Sequence, residues 1–191
     1  MPFGDILGQE HAIELLCHAV QRDRMPHAWL FTGQANIGKF KTAVALAQKL
    51  NCSKIGEDAC GKCDFCLQIK EENFPDFLVL RPEGKFIKID QVRNSLNWLN
   101  LHPDQAKKRV LILDGAENLG REAANSFLKT LEEPAPNTII ILIALSTKHL
   151  SETIVSRCQQ IRFRPLSPEI TENILRRNTD LSDELVQLIS S

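Results

Sequence analysis

The stretch AWLFTGQANIGK, Ala28 to Lys39, leaves few folds open to the chain that carries it. A short apolar run ending at Thr32 passes into a loop with glycine at 33 and 38 and lysine at 39. The KFKTAVALAQKL that follows is rich in Ala, Leu and Lys, all strong helix formers. Strand, glycine loop and helix in that order make one half of a βαβ unit. Gly33 and Gly38, at the spacing G-x-x-x-x-G-K, let successive backbone N–H groups curl toward an anion, and the positive end of the helix adds to the field. Lys39 is placed to reach terminal phosphates. The pattern next requires Ser or Thr, whose hydroxyl holds magnesium, and this chain has Phe40 instead. Thr42 cannot stand in, because residues two apart do not share a helix face. A tight strand-to-helix turn could use the same glycines, but the full spacing in this context favours descent from a nucleotide site. Whether a nucleotide is still held stays open at this level.

The rest of the chain repeats the theme. Ile13, Leu15, Leu16, Ala19 and Val20 recur at helical spacing, which predicts an amphipathic helix over Gln9 to Arg22. Phe77 to Leu80, Phe86 to Ile89, Val110 to Leu113, Thr138 to Leu145 and Ile161 to Phe163 are expected as strands. Thr138 to Leu145 is nearly all Ile and Leu, as in a central strand covered on both faces. Between the strands lie a short helix near Leu67 to Glu72, one capped by Asp90 and running through Leu99, and one from about Glu122 that Pro134 stops. The expectation is an α/β fold with a parallel, doubly wound sheet. Pro165 and Pro168 mark a boundary, after which Glu169 to Arg177 and Asp183 to Ser190 read as the start of a small helical domain.

Of the 191 residues, 43% are hydrophobic and 25% charged, enough to bury a core. The net charge of -1 excludes a large electrostatic field for nucleic acid, so any DNA contact would be local or made through a partner. The N-terminal MPFGDILGQEHAIELL lacks the pattern of a secretory signal, and no apolar run reaches membrane-span length. A cytoplasmic, reducing setting is expected, in which six cysteines act as ligands or packing rather than disulfides. Cys52-x7-Cys60-x2-Cys63-x2-Cys66 brings four thiols into fifteen residues. Two-residue gaps let neighbouring thiolates converge on one tetrahedral ion, and an all-cysteine set suits structural zinc with no open position. Free thiols, a redox pair and an iron–sulfur cluster are the weaker readings. Cys17 and Cys158 are expected as packing residues.

A second acidic element accompanies the loop. The strand VLILD ends at Asp114, where phosphate-loop ATPases hold magnesium. The next residue is Gly115, and Glu117 is expected to point elsewhere from the end of the strand. Phe40 and Gly115 thus remove the parts that magnesium-dependent hydrolysis needs most. Ser156-Arg157-Cys158 supplies a guanidinium, the group that stabilises charge on a transferring phosphoryl group and can be lent between subunits.

NSFLKTLEEPAPNTIIILIA (125–144), TIVSRCQQIRF (153–163), HAWLFTG (27–33) and the cysteine cluster together resemble bacterial clamp-loader subunits of DNA polymerase III, within the AAA+ class. The resemblance runs from about Gly8 to Pro165. It implies an AAA+-like domain over 1–165 with a zinc module at about 51–67, a helical lid beginning at 166–191, and a C-terminal collar domain that this chain does not reach. Motor subunits of the gamma/tau type keep the hydroxyl and the acid that Phe40 and Gly115 replace, so the chain is similar to the delta-prime type. The resemblance further implies that Gly33, Gly38, Lys39 and Asp114 form a degenerate nucleotide site. It implies zinc at Cys52, Cys60, Cys63 and Cys66, and Arg157 as an arginine finger acting in trans. The implied partners are gamma/tau and delta subunits, with the sliding clamp and primed DNA met through the complex. ATP with magnesium is not expected to be hydrolysed. Ser146 and Thr147 do not align cleanly with the family's sensor threonine. An active gamma/tau-like ATPase and a zinc-binding nucleic-acid module are the competing readings.

Overall fold

A computed structural model of the chain describes residues 2–22 and 25–178. Helix α1 (Glu10–Gln21) precedes β1 (Ala28–Thr32), and the glycine loop leads into α2 (Lys39–Asn51). The cysteine-rich loop follows, then α3 (Asp64–Lys70), β2 (Phe77–Leu80) and α4 (Ile89–Leu99). Strand β3 (Arg109–Asp114), helix α5 (Arg121–Glu132) and strand β4 (Thr138–Ala144) come next. A short α6 (Glu152–Val155), β5 (Gln159–Arg162) and α7 (Pro168–Asn178) close the described chain. The second terminal helix, expected over Asp183 to Ser190, lies outside the described residues.

The strands form one sheet in the order β2-β3-β4-β1-β5, with every pairing parallel. Side chains alternate across each strand, so a sheet covered on both faces needs apolar residues at every position. Trp29, Phe31, Ile112, Ile141 and Ile143 pack with the residues of α1 and α2. Leu30, Leu111, Leu113, Ile140 and Leu142 pack with those of α4 and α5. All seven residues of β4 are buried, which accounts for its unbroken Ile/Leu composition.

Two local expectations fail. Phe86 to Ile89 forms no strand: Glu83 bridges Phe86 and Ile87 bridges Leu119 singly, around a turn in which Gly84 has φ +77°. Ile87 is buried while Phe86 is exposed, and one buried residue does not hold a strand in a sheet. Asp90 is not the cap of α4. The helix begins at Ile89, the amide of Lys88 donates to Gln91 Oε1 at 2.9 Å, and Asp90 lies within the first turn. Helix α3 starts three residues earlier than expected, and β5 two residues earlier.

A buried ion pair fixes the start of β3. Asp76 accepts Arg109 Nη2 at 2.6 Å and Nε at 3.1 Å, and also the amides of Asp104, Gln105 and Ala106. The remaining guanidinium hydrogens go to the carbonyls of Trp98, Leu101 and His102, with the Trp98 ring 4.8 Å away. Burial pushes the Asp76 carboxyl up, but the amides of Gln105 and Asp104, then Arg109, outweigh it and hold it below the usual carboxylate range. Asp76→Asn is expected to lower unfolding free energy by about 3 kcal/mol in urea titrations, because Arg109 would be left buried without its counter-charge. The depressed value also sets a sign. The contribution of Asp76 is complete above the ordinary carboxylate value and declines as pH falls through the lower folded one, which acid unfolding of wild type against Asp76→Asn would display.

Candidate functional site

The C-terminal ends of β1, β4 and β3 open on a cavity of about 730 Å³, a size usual for a small-molecule site. Register puts Thr32 beside Ala144 and Asp114 beside Ile143, so the loop after β1 and the acid ending β3 flank the same crevice. Gly38, Lys39, Phe40, Asp114 and Glu117 line it on one side. Ile6, Leu7, Leu166 and Ile174 supply an apolar wall. Gly33 has φ +147°, and a Cβ there would lie 2.8 Å from the carbonyl oxygen of Phe163, so the loop's first position admits only glycine. Gln9 is buried and clamps the site: it donates to the carbonyls of Ile37 and Arg164 and accepts the Arg164 amide. It thereby ties the glycine loop to the segment leading into α7.

Lys39 folds back onto its own loop, donating to the carbonyl oxygen of Gly33 at 2.6 Å and to that of Gln34. Burial lowers its ammonium below the ordinary lysine value, against the pull of Glu117 and, less strongly, Asp114. Thr42 is fully buried and its hydroxyl donates to the Gly38 carbonyl, so it offers nothing to a metal.

The surroundings of Phe40 and Asp114 do not fit a magnesium ion. Phe40 contributes a ring, and the Arg81 guanidinium lies 4.8 Å from that ring's centroid. Both terminal nitrogens of Arg81 donate to Glu72, at 2.7 and 2.6 Å, while its Nε is 3.9 Å from Asp114 Oδ2. Burial raises the Asp114 carboxyl above its usual range, opposed by Arg81 and Lys39. The expectation that Glu117 points away is overturned. Gly115 at φ +89° turns the chain, so a short helical turn over Ala116–Asn118 brings Glu117 to the cavity wall, and its buried Oε2 has no hydrogen-bond partner among the described residues.

The four cysteines meet at one point. The Sγ atoms of Cys52, Cys60, Cys63 and Cys66 all lie within 4.8 Å of one another, and those of Cys52 and Cys63 are 3.9 Å apart. Tetrahedral zinc thiolates stand about 3.8 Å apart, so the set can hold one metal ion and is compatible with structural zinc. The loop is anchored elsewhere too. Asp58 accepts the amides of Phe3 and Gly4, and Gln48 donates to the Cys66 carbonyl. Cys17 packs against the main core and Cys158 is buried, its thiol pushed up to about 12 by that burial. His27, beside β1, bonds the Leu131 carbonyl at 2.8 Å.

Arg157 stands apart from the cavity. Its Nε and Nη2 donate to Glu132 Oε1 and its Nη1 to the Thr153 carbonyl at 2.9 Å, leaving the side chain about one-third exposed. Arg81, Glu117 and Gln9 were not singled out as site residues from the sequence. A basic residue directly after an apolar parallel strand was the available signal for Arg81, since ligands gather at that end of such sheets.

An all-parallel sheet in this order, with a glycine loop after β1 and an acid closing β3, defines an AAA+-like phosphate-loop fold. A gamma-subunit-related protein of DNA polymerase III from Thermotoga maritima superposes with TM-score 0.62 at 22% identity, over 94% of this chain and 54% of that one. Domain III of the replication initiation protein DnaA from the same organism gives 0.60 at 12% identity, over 97% and 76%. A family model described as "DNA polymerase III, delta subunit" matches residues 8–167, so the chain belongs to that family, in its delta-prime type. DNA polymerase III subunit delta' of Haemophilus influenzae is 42% identical over 83% of this chain and 49% of its own length. The Bacillus subtilis subunit delta' is 33% identical over 96% and 55%, and the Escherichia coli subunit tau 33% over 87% and 26%. The chain thus spans about half the length of the delta' relatives.

Replacing Gly115 by the glutamate of hydrolysing phosphate-loop proteins is expected to restore nothing. A Cβ there would lie 2.9 Å from Asn118 Nδ2 and 3.3 Å from Pro82 Cγ, in a left-handed backbone conformation. Gly115→Glu should cost about 1–2 kcal/mol of stability by urea denaturation and give no ATP turnover in a phosphate-release assay.

Proposed function

We propose that this chain is a non-hydrolysing clamp-loader subunit of DNA polymerase III that lends Arg157 to the ATP site of a neighbouring gamma/tau-type subunit. The observation that carries the reading is an intact glycine loop and Lys39 combined with Phe40 and Gly115 at the two positions on which metal binding and water activation depend. Gly33, Gly38, Lys39 and Asp114 are then a nucleotide site that has lost hydrolysis while keeping its shape. Its work in the complex is to brace the ring, together with delta and the gamma/tau subunits, while the sliding clamp is opened and set on primed DNA.

Several features support the role of Arg157. It lies outside the chain's own cavity, remains partly exposed, and is held in one orientation by Glu132 and the Thr153 carbonyl. A pre-oriented guanidinium loses little freedom when it meets a phosphoryl oxygen across an interface. At Cys52, Cys60, Cys63 and Cys66 a zinc ion would be structural, since four thiolates leave no open position. It would fold a loop with a very small core of its own, consisting of Cys52, Ala59 and Cys66.

A second reading, an active gamma/tau-like ATPase, draws on the Glu117 carboxylate at the cavity wall. Steady ATP turnover by the purified chain with magnesium would favour it; the proposal expects none. In a reconstituted loader, Arg157→Ala should remove the share of ATP turnover contributed by the one site it serves, where a finger is worth about 10³-fold or more, and unchanged turnover would remove the finger role. Elemental analysis should find one zinc per chain. Cys63→Ser should lose it and melt at a lower temperature, as expected where metal binding contributes on the order of 10 kcal/mol to folding.

A further inference from the structure

Helix α1 and the open edge of the sheet enclose a second cavity, of about 320 Å³, which shares no residue with the one at the glycine loop. Leu15, Ala19 and Arg22 face Trp29 of β1 and Ile161 of β5 across it. Spacings of four and three residues put the first three on one stripe of the helix. Leu15 is 41% exposed, and no carboxylate lines the cavity. Trp29 is buried, and its indole Nε1 has no hydrogen-bond partner among the described residues. The chain's other indole, that of Trp98, donates to the Pro75 carbonyl at 3.2 Å. A buried donor without an acceptor is destabilising, and a ligand that brings an oxygen to Trp29 would satisfy it.

The strand beside the cavity is open as well. Among the described residues β5 ends the sheet, and its outer edge pairs with no other strand. The Phe163 amide donates to the Thr32 carbonyl, so the alternate residues Gln160 and Arg162 turn their backbone N–H and C=O groups away from β1. Their side chains are exposed on the face opposite Ile161. We propose that this edge is the docking site of an acidic, extended segment of a partner protein, which adds a strand to β5. Every second side chain of such a segment faces the cavity, where an apolar one fits between Leu15, Ala19 and Ile161. The remaining side chains lie on the side of Gln160 and Arg162, and a carbonyl or carboxylate oxygen accepts from Trp29 Nε1. Charge decides the occupant. Arg22 on one side and Arg162 on the other favour carboxylates, whereas a second copy pairing β5 with β5 would set arginines against each other.

The test is a titration of the ¹⁵N-labelled chain with the peptide acetyl-Glu-Val-Glu-Leu-Glu-Val-Glu-amide, followed through its two indole N–H resonances, which Trp29→Phe assigns. The Trp29 proton should move downfield while that of Trp98 stays in place. Alanine for the peptide's leucine, or lysine for its glutamates, should weaken binding about tenfold. Leu15→Glu, at an exposed position, and Gln160→Pro should each weaken it by about the same factor. Proline at 160 removes an outward N–H without taking a hydrogen bond from β1, and edge strands tolerate it. The amide spectrum of each variant shows whether it has folded. A Trp29 resonance unmoved by the glutamate peptide at millimolar concentration would overturn the proposal. So would equal binding by the lysine peptide, or undiminished binding by both variants. A Trp29 resonance that moves with protein concentration alone would also overturn it, by placing a second copy on this edge. Neither the role of Arg157 nor the reading of the glycine-loop cavity enters these readouts.

Discussion

Everything at the cavity follows from how β4 is held. Its seven residues are buried on both faces and paired in parallel with β1 on one edge and β3 on the other. A strand so placed cannot slip by one residue without moving every side chain to the opposite face, where the packing on each side is already complete. The register that results carries the glycine loop and Asp114 to the same end of the sheet. Below them, the Asp76–Arg109 pair locks the start of β3 to the start of β2 and to the carbonyls that close α4. Strand ends that are fixed at the bottom are fixed at the top as well, which is why Asp114 and Arg81 come within ion-pair range.

On the proposed reading, the cavity keeps the frame of a nucleotide site with its charges rearranged. Lys39 is satisfied by carbonyls of its own loop, and Asp114 is answered by an arginine. Phe40 has exchanged a metal-binding oxygen for a surface on which that arginine stacks. The two departures are linked through Arg81 rather than independent, and Gly115 adds a backbone conformation that a larger residue would strain. Glu132 and Thr153 hold Arg157 on another surface, away from this cavity.

The cysteine loop plays a related mechanical part. Asp58 binds the amides that begin the chain, Gln48 reaches from α2 to the Cys66 carbonyl, and Asn51 exchanges hydrogen bonds with Lys108 just before β3. An ion at the four thiols would stiffen a junction between the N-terminal segment, α2 and the strand that carries Asp114. The loop's influence on the cavity would therefore pass through packing, with no metal chemistry at the phosphate end.

Patterns confined to short stretches were legible in the amino-acid order itself. The apolar run and glycines of 28–39, the Ile/Leu strand at 138–144, and the four cysteines each state their structure through a period, a turn requirement or a ligand spacing. The hydroxyl missing at 40 and the acid missing at 115 were legible in the same way. What could not be read there involves partners distant in sequence. Phe86 to Ile89 has the composition of a strand but no neighbour to pair along its length. Asp90 looks like a cap until Gln91 is seen closing onto Lys88. Glu117 appears directed away until Gly115 turns the backbone, and Arg81 is an ordinary surface arginine until β2 and α2 bring it over Phe40. Periodicity and spacing are properties of neighbouring residues, so sequence determines them alone; the meeting of charges across the end of a sheet depends on register and packing, which only the folded chain decides.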